Sequence, residues 1–117
     1  MLIYEVNTTV DADAANTYAA WLAEHIHEML GFDGFRSAAL YDLDESAERR
    51  PGAPRRLTVH YYVESRAHLD AYLGEHAERM RAAGLERFEG KLEASRRVLE
   101  QRRVFSKPPE EAEEEGL

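Results

Sequence analysis

The sequence predicts a small α+β domain in the order β-α-β-β-α-β, a ferredoxin-like arrangement with a four-stranded antiparallel sheet. Three observations lead there. Apolar and β-branched residues alternate with period two over Leu2–Val10 and Arg56–Glu64. Apolar residues recur at steps of three and four over 14–30 and 65–84. Gly, Pro and acidic clusters separate these segments, and 117 residues suit one domain.

The first strand, Leu2–Val10, shows Tyr4, Val6, Thr8 and Val10 on one face and Ile3, Glu5, Asn7 and Thr9 on the other. Asp13 is the expected N-cap of a helix over Ala14–Leu30, because a carboxylate can accept from the free N–H groups of a first turn. The apolar stripe of that helix is Ala15, Tyr18, Leu22, Ile26 and Met29, widened by Trp21 and Leu30, and Gly31 or Gly34 ends it. Phe35–Leu43 and Arg56–Glu64 read as a hairpin joined by the charged loop 44–55. Ser65 caps a second helix whose stripe is Leu69, Tyr72, Leu73, His76, Ala77 and Met80, with Gly84 as its stop. A short helical turn over Leu85–Lys91 then leads to a last strand, Leu92–Val104. Local periodicity there favours a helix, but a β-α-β-β-α order lacks only a final strand to close the unit. The expected domain is 1–105. Residues 106–117, with Pro108-Pro109 and five Glu, cannot bury a face and are expected to be a disordered acidic tail.

The charge is −8 and unevenly spread. Ten acids face one base over 1–48, whereas thirteen bases face eight acids over 49–105. A net acidic chain is repelled by nucleic acid, which argues against that partner. The absence of cysteine removes disulfides, thiolate zinc sites and thiol catalysis together. The opening MLIYEVNTTV lacks the basic and apolar regions of a signal peptide, and no stretch reaches the length of a membrane span. A cytoplasmic location without membrane partners is the expectation. One layer of helices cannot cover both faces of the first and third strands, so the open sheet face is expected to meet a second copy in a homodimer.

Tyr4-Glu5-Val6-Asn7, Trp21-Leu22 with His25, Met29-Leu30, Met80-Arg81 with Gly84, and Ala94-Ser95-Arg96-Arg97-Val98-Leu99 give the chain a further likeness. Over roughly residues 1–103 it resembles a small bacterial domain-of-unknown-function family of the dimeric α/β-barrel superfamily. The resemblance implies a ferredoxin-like subunit whose sheet packs on a partner's sheet, and it supplies no activity. The superfamily includes cofactor-free monooxygenases, haem-degrading enzymes, muconolactone isomerase-like proteins and ligand-sensing domains, among which fold does not select.

Five residues stand out as candidates. His76 lies in the apolar stripe of the second helix and is expected to face the sheet. A buried imidazole there needs a partner such as Tyr72, Glu5 or Tyr62, or else serves a cleft as an axial ligand or proton-transfer group. Asn7 and His76 fall where haem-degrading members of the superfamily carry an Asn and a His, but Trp21 departs from that pattern by sitting on the first helix. His60 and Tyr62, with Glu64, share a strand face with Glu5 and Asn7 and form either a polar layer at a sheet–sheet interface or the lining of a pocket. His25 and His27 point about 200° apart on a helix and cannot chelate one ion, so no metal site is expected. Arg96, Arg97, Arg102 and Arg103 suit a charged edge strand without a ligand. No activated acid–base pair, nucleophile with a base, or phosphate loop is visible, and no cofactor is required. The residues therefore favour a non-enzymatic module that binds a small ligand or a partner. The alternative is a cofactor-free or haem-linked monooxygenase-like enzyme using Asn7, His76 and Trp21.

Overall fold

The computed structural model describes residues 1–43 and 50–110. Part of the expected hairpin loop and the last seven residues of the expected tail lie outside the described residues. Residues 106–110 are exposed and have no regular structure.

Strand β1 (Leu2–Val10), with apolar residues on both faces, takes a central place in the sheet. Helix α1 (Ala15–Met29) returns across the sheet, followed by β2 (Phe35–Asp42), β3 (Arg55–Val63), α2 (Arg66–Glu75), α3 (Ala77–Arg87) and β4 (Leu92–Glu100). The sheet order is β2-β3-β1-β4, and every neighbouring pair is antiparallel. This is the ferredoxin-like α+β fold that the order of elements predicts. The helices cover one face, where Tyr4, Val10, Leu57, Val59, Tyr61 and Val63 meet Tyr18, Leu22, Met29, Leu69, Tyr72 and Met80 in one core.

Ser65 caps α2 as expected, its Oγ accepting from the His68 N–H at 3.2 Å. Four other expectations are corrected. Asp13 does not cap α1: a 3-10 turn over Ala12–Ala14 precedes the helix, and the Asp13 carboxylate pairs with Lys91 instead. The single helix expected over 65–84 is two helices joined at His76, whose φ of −127° and ψ of −24° leave the helical region. That break rephases the stripe. Leu69, Tyr72, Ala77 and Met80 stay buried, while Leu73 and His76 turn outward. Gly84 does not stop the helix, because α3 continues to Arg87 and holds Gly84 buried against Trp21. Finally, β4 ends at Glu100 rather than Val104. It pairs only with β1, and Leu2 opposite Glu100 is where β1 begins; one more bond, from the Gln101 N–H to the Met1 carbonyl at 3.1 Å, closes the ladder.

Candidate functional site

Two faces of the sheet gather polar side chains, and they do different things. On the helix-covered side, β1 contributes Tyr4, Val6 and Thr8 to the floor of a cavity, and β4 contributes Ala94 and Arg96. The register places Arg96 opposite Val6, on the face toward the helices. The roof comes from Tyr18, Trp21 and His25 of α1 and from Met80, Arg81, Gly84 and Leu85 of α3. Trp21 stacks on His25 one helical turn away, with ring centroids 4.6 Å apart at 19°, and meets Phe88 edge-on at 5.8 Å. Gly84 permits this, since a Cβ there would lie 3.0 Å from Trp21 Cη2.

The enclosed space is about 50 Å³. That is room for a few waters, well below the 300–1,000 Å³ or so of a site enclosing a drug-sized molecule. The cavity opens beside Leu85, Ala94 and Arg96, all of them exposed. It can therefore enclose one end of a ligand and leave the remainder at the mouth.

Arg81 reaches into this space from α3. Its Nη2 donates to the Tyr4 hydroxyl at 2.9 Å. Its Nε is buried and has no acceptor, the one such buried side-chain nitrogen or oxygen among the described residues. An unmet buried donor is destabilising by about 1–3 kcal/mol. Burial pushes the His25 imidazole below its ordinary pKa, helped by nearby Arg96 against an opposing effect of Glu28, so the ring is neutral at pH 7. The phenols are held protonated: burial raises Tyr18 and Tyr61, and pushes Tyr72 up to about 12. Aromatic walls, a neutral imidazole and two guanidiniums make up the chemistry of the site.

The open side of the sheet carries a polar cluster centred on Glu5, which is only 4% exposed although no helix covers it. Arg97 pairs with its carboxylate from β4, His60 Nε2 lies 2.8 Å from Oε1, and Asn7 Nδ2 donates to Oε2 at 2.9 Å. Thr58 Oγ1 in turn donates to Asn7 Oδ1 at 2.7 Å. The Arg97 bond, foremost, holds Glu5 down from 4.5 to about 2. Tyr41 meets His60 edge-on at 5.1 Å and, lying close to Tyr62, raises that phenol above its ordinary pKa.

The structure thus separates the residues singled out in the sequence. Trp21 lines the cavity. Asn7, His60 and Tyr62 lie on the opposite face of the sheet. His76 is in neither place: it stacks on Phe32 at 4.5 Å in an open surface groove, with Glu75 at 3.7 Å and Arg79 at 3.5 Å. Its expected position against the sheet is corrected, and the cause is the helix break at the residue itself. A haem held by His76 beneath the helices does not fit, since His76 is outside the cavity and the enclosed space is far too small. Among the described residues no three His, Cys, Asp or Glu side chains gather as a metal site, and no helix is long and apolar enough to cross a membrane.

Sequence reasoning missed Arg81 and Arg96 as cavity residues. Period-two alternation along β4 would have placed Arg96 with Ala94 and Val98 on the face that carries Val6, had the strand's register been known. Arg81 borders the stripe at Met80, and nothing local marks it.

Fold and site together define a ferredoxin-like α+β protein with a small aromatic cavity beneath its helices. Within that class the family is shown: the chain belongs to the family described as Domain of unknown function (DUF4286), whose model matches residues 1–102. No curated protein matches the sequence. Among solved structures, a candidate antibiotic biosynthesis monooxygenase from Deinococcus radiodurans is similar, with a TM-score of 0.67 and 13% identity over 93% of this chain and 100% of that one. SnoaB, a cofactor-independent oxygenase from Streptomyces nogalater, gives a TM-score of 0.61 at 11% identity over 91% and 98%. A de novo designed protein, Foldit4, also shares the fold, with a TM-score of 0.53 at 11% identity over 86% and 98%. A fold shared by an oxygenase and a designed chain specifies architecture and not chemistry.

Proposed function

We propose that this chain works as a homodimer whose subunits each bind a small, largely apolar ligand beneath their helices, without catalysing its conversion. The observation that carries the reading is the cavity walled by Trp21, with Gly84 making room for the indole. Trp21 is the sole tryptophan of the chain, so its emission reports on that cavity alone. Protein taken directly from cells is expected to carry a stoichiometric small-molecule mass in native mass spectrometry, with Trp21 emission shifting when that molecule is stripped. No bound mass, together with an emission indifferent to every small aromatic titrated, would sink the reading.

The partner is a second copy, docked through the open sheet face. Ile3, Ala39, Tyr41, Tyr62 and Leu99 share that face with the Glu5 cluster, giving an apolar surface with a satisfied polar centre. Obligate interfaces of this kind bury about 2,000 Å² or more. Light scattering at low micromolar concentration is expected to give twice the 13.4 kDa chain mass, and a monomer mass would refute the dimer. In this arrangement Asn7, His60 and Tyr62 serve the interface.

A second reading, a cofactor-free oxygenase, is favoured by one observation. Neutral His25 sits in the cavity wall and can accept a proton from an acidic ligand group. Dioxygen uptake with the cell-derived ligand, abolished by His25→Phe, would replace the binding reading with this one.

A further inference from the structure

We propose that the ligand beneath the helices is an anion, a carboxylate or phenolate borne on an aromatic ring, with Arg81 as the residue that selects its charge. The inference rests on the binding reading above and adds the chemical class of the ligand.

Three observations support it. Arg81 Nε is buried without an acceptor while its Nη2 is already engaged by Tyr4, so the guanidinium that lines the cavity carries an unmet donor. Arg96 lines the same cavity from β4, whereas none of the described lining residues is a carboxylate. The chain has 23 acids against 15 Lys and Arg, yet neither guanidinium has a carboxylate partner among the described residues. By contrast Arg36, Arg55 and Arg97, on the same sheet, are each paired with Glu64, Asp42 and Glu5. Two unpaired guanidiniums at an apolar space favour an anion, which Arg binds with paired, charge-assisted hydrogen bonds.

The size of the site says which part of the ligand goes where. About 50 Å³ encloses an anionic head of a few atoms but not a ring. The mouth offers a flat apolar body Trp21 and the exposed Leu85. His25, kept neutral by burial, adds a ring nitrogen that either donates to the anion or takes up its proton. Tyr4 stays bonded to Arg81 and holds the guanidinium in place; it is a positioning residue.

The test compares benzoate with benzamide, which share a ring and shape and differ in charge. Each is titrated into the full chain, with Trp21 emission and the Arg81 Nε–H proton resonance as readouts. Benzoate is expected to bind about tenfold or more tightly than benzamide, to weaken as salt is raised, and to shift the Arg81 Nε–H resonance downfield. Arg81→Gln should abolish the preference, Arg81→Lys should retain part of it, and Arg96→Gln should reduce it. Equal affinities for the two probes, or a preference untouched by Arg81→Gln in a folded variant, would overturn the anion proposal and leave the binding reading standing. Should Arg81→Gln not fold, the wild-type affinity ratio and the Nε–H shift decide alone: a ratio near one with no shift overturns the proposal. If neither probe perturbs Trp21 at millimolar concentration, this proposal falls, and the mass spectrum of cell-derived protein decides the binding reading.

Discussion

Gly34→Ala is expected to lower the melting temperature by more than about 10 °C. Gly34 sits in the turn between α1 and β2 with φ of +83°. Its carbonyl accepts the Glu64 N–H at 2.8 Å, tying that turn to the end of β3. A non-glycine residue in the left-handed region costs about 1–2 kcal/mol from the backbone alone. Here the new methyl group would also lie 2.3 Å from His68 Cγ and 2.5 Å from its Cβ. The Cβ is fixed to the α2 backbone and cannot swing away, and the ring beyond Cγ is held to Ser65 Oγ at 2.7 Å. The turn would have to detach from α2, with a total loss of about 3–4 kcal/mol; at this size each kcal/mol moves the midpoint by about 4–8 °C. Gly90→Ala is the control. Its φ is +76° but nothing lies within 4 Å, so only the backbone penalty remains. Equal melting temperatures for the two variants would show that the His68 contact does not matter.

Glu5→Gln is expected to destabilise the protein by about 2 kcal/mol at neutral pH, and the difference from wild type should vanish as the pH approaches 2. The folded carboxyl is held at about 2 against an ordinary 4.5, by the Arg97 bond first and then by Asn7. Because the folded value is depressed, the stabilisation is present above pH 4.5 and is lost as the pH falls from there toward 2. A shift of that size corresponds to roughly 3 kcal/mol, but the Arg97 side chain is 68% exposed and solvent screens the pair, so about 1–2 kcal/mol survives. Urea midpoints for both proteins between pH 7 and 2.5 provide the measurement, at one fixed protein concentration, because any self-association makes stability depend on concentration. A constant difference across that range would show that Glu5 does not titrate against Arg97.

Glu5 also shows what kind of information a strand pattern withholds. Alternation puts Glu5 on the mixed face of β1 with Ile3, Asn7 and Thr9, as part of a polar layer at an interface or of a pocket lining, and names neither its partners nor its depth. In the fold it is among the most buried polar side chains, because β3 and β4 flank β1 and supply His60 and Arg97 from either side. Both partners pair with it in register, His60 directly and Arg97 directly, from positions 55 and 92 residues away.

The sequence by itself determined the class of fold, the strand and helix order, the Ser65 cap and most of the core. Each of these depends on signals within a few residues: period two over Leu2–Val10, period near 3.6 over Ala15–Met29, and a hydroxyl before a first turn. Even β4, locally ambiguous, followed from the order of elements, because β-α-β-β-α lacks only a final strand to close the unit. Only the tertiary structure decided the site. A break at His76 that no local signal announces turned that histidine outward and rotated α3, so that Arg81 and Gly84 met Tyr4 and Trp21. The register between β1 and β4 set Arg96 beside the cavity and Arg97 on Glu5, two neighbours sent to opposite faces of one sheet. Positions that depend on the phase of a helix break and the pairing of distant strands are properties of the packed molecule, because a single residue's slip in either would exchange the buried side chains for the exposed ones.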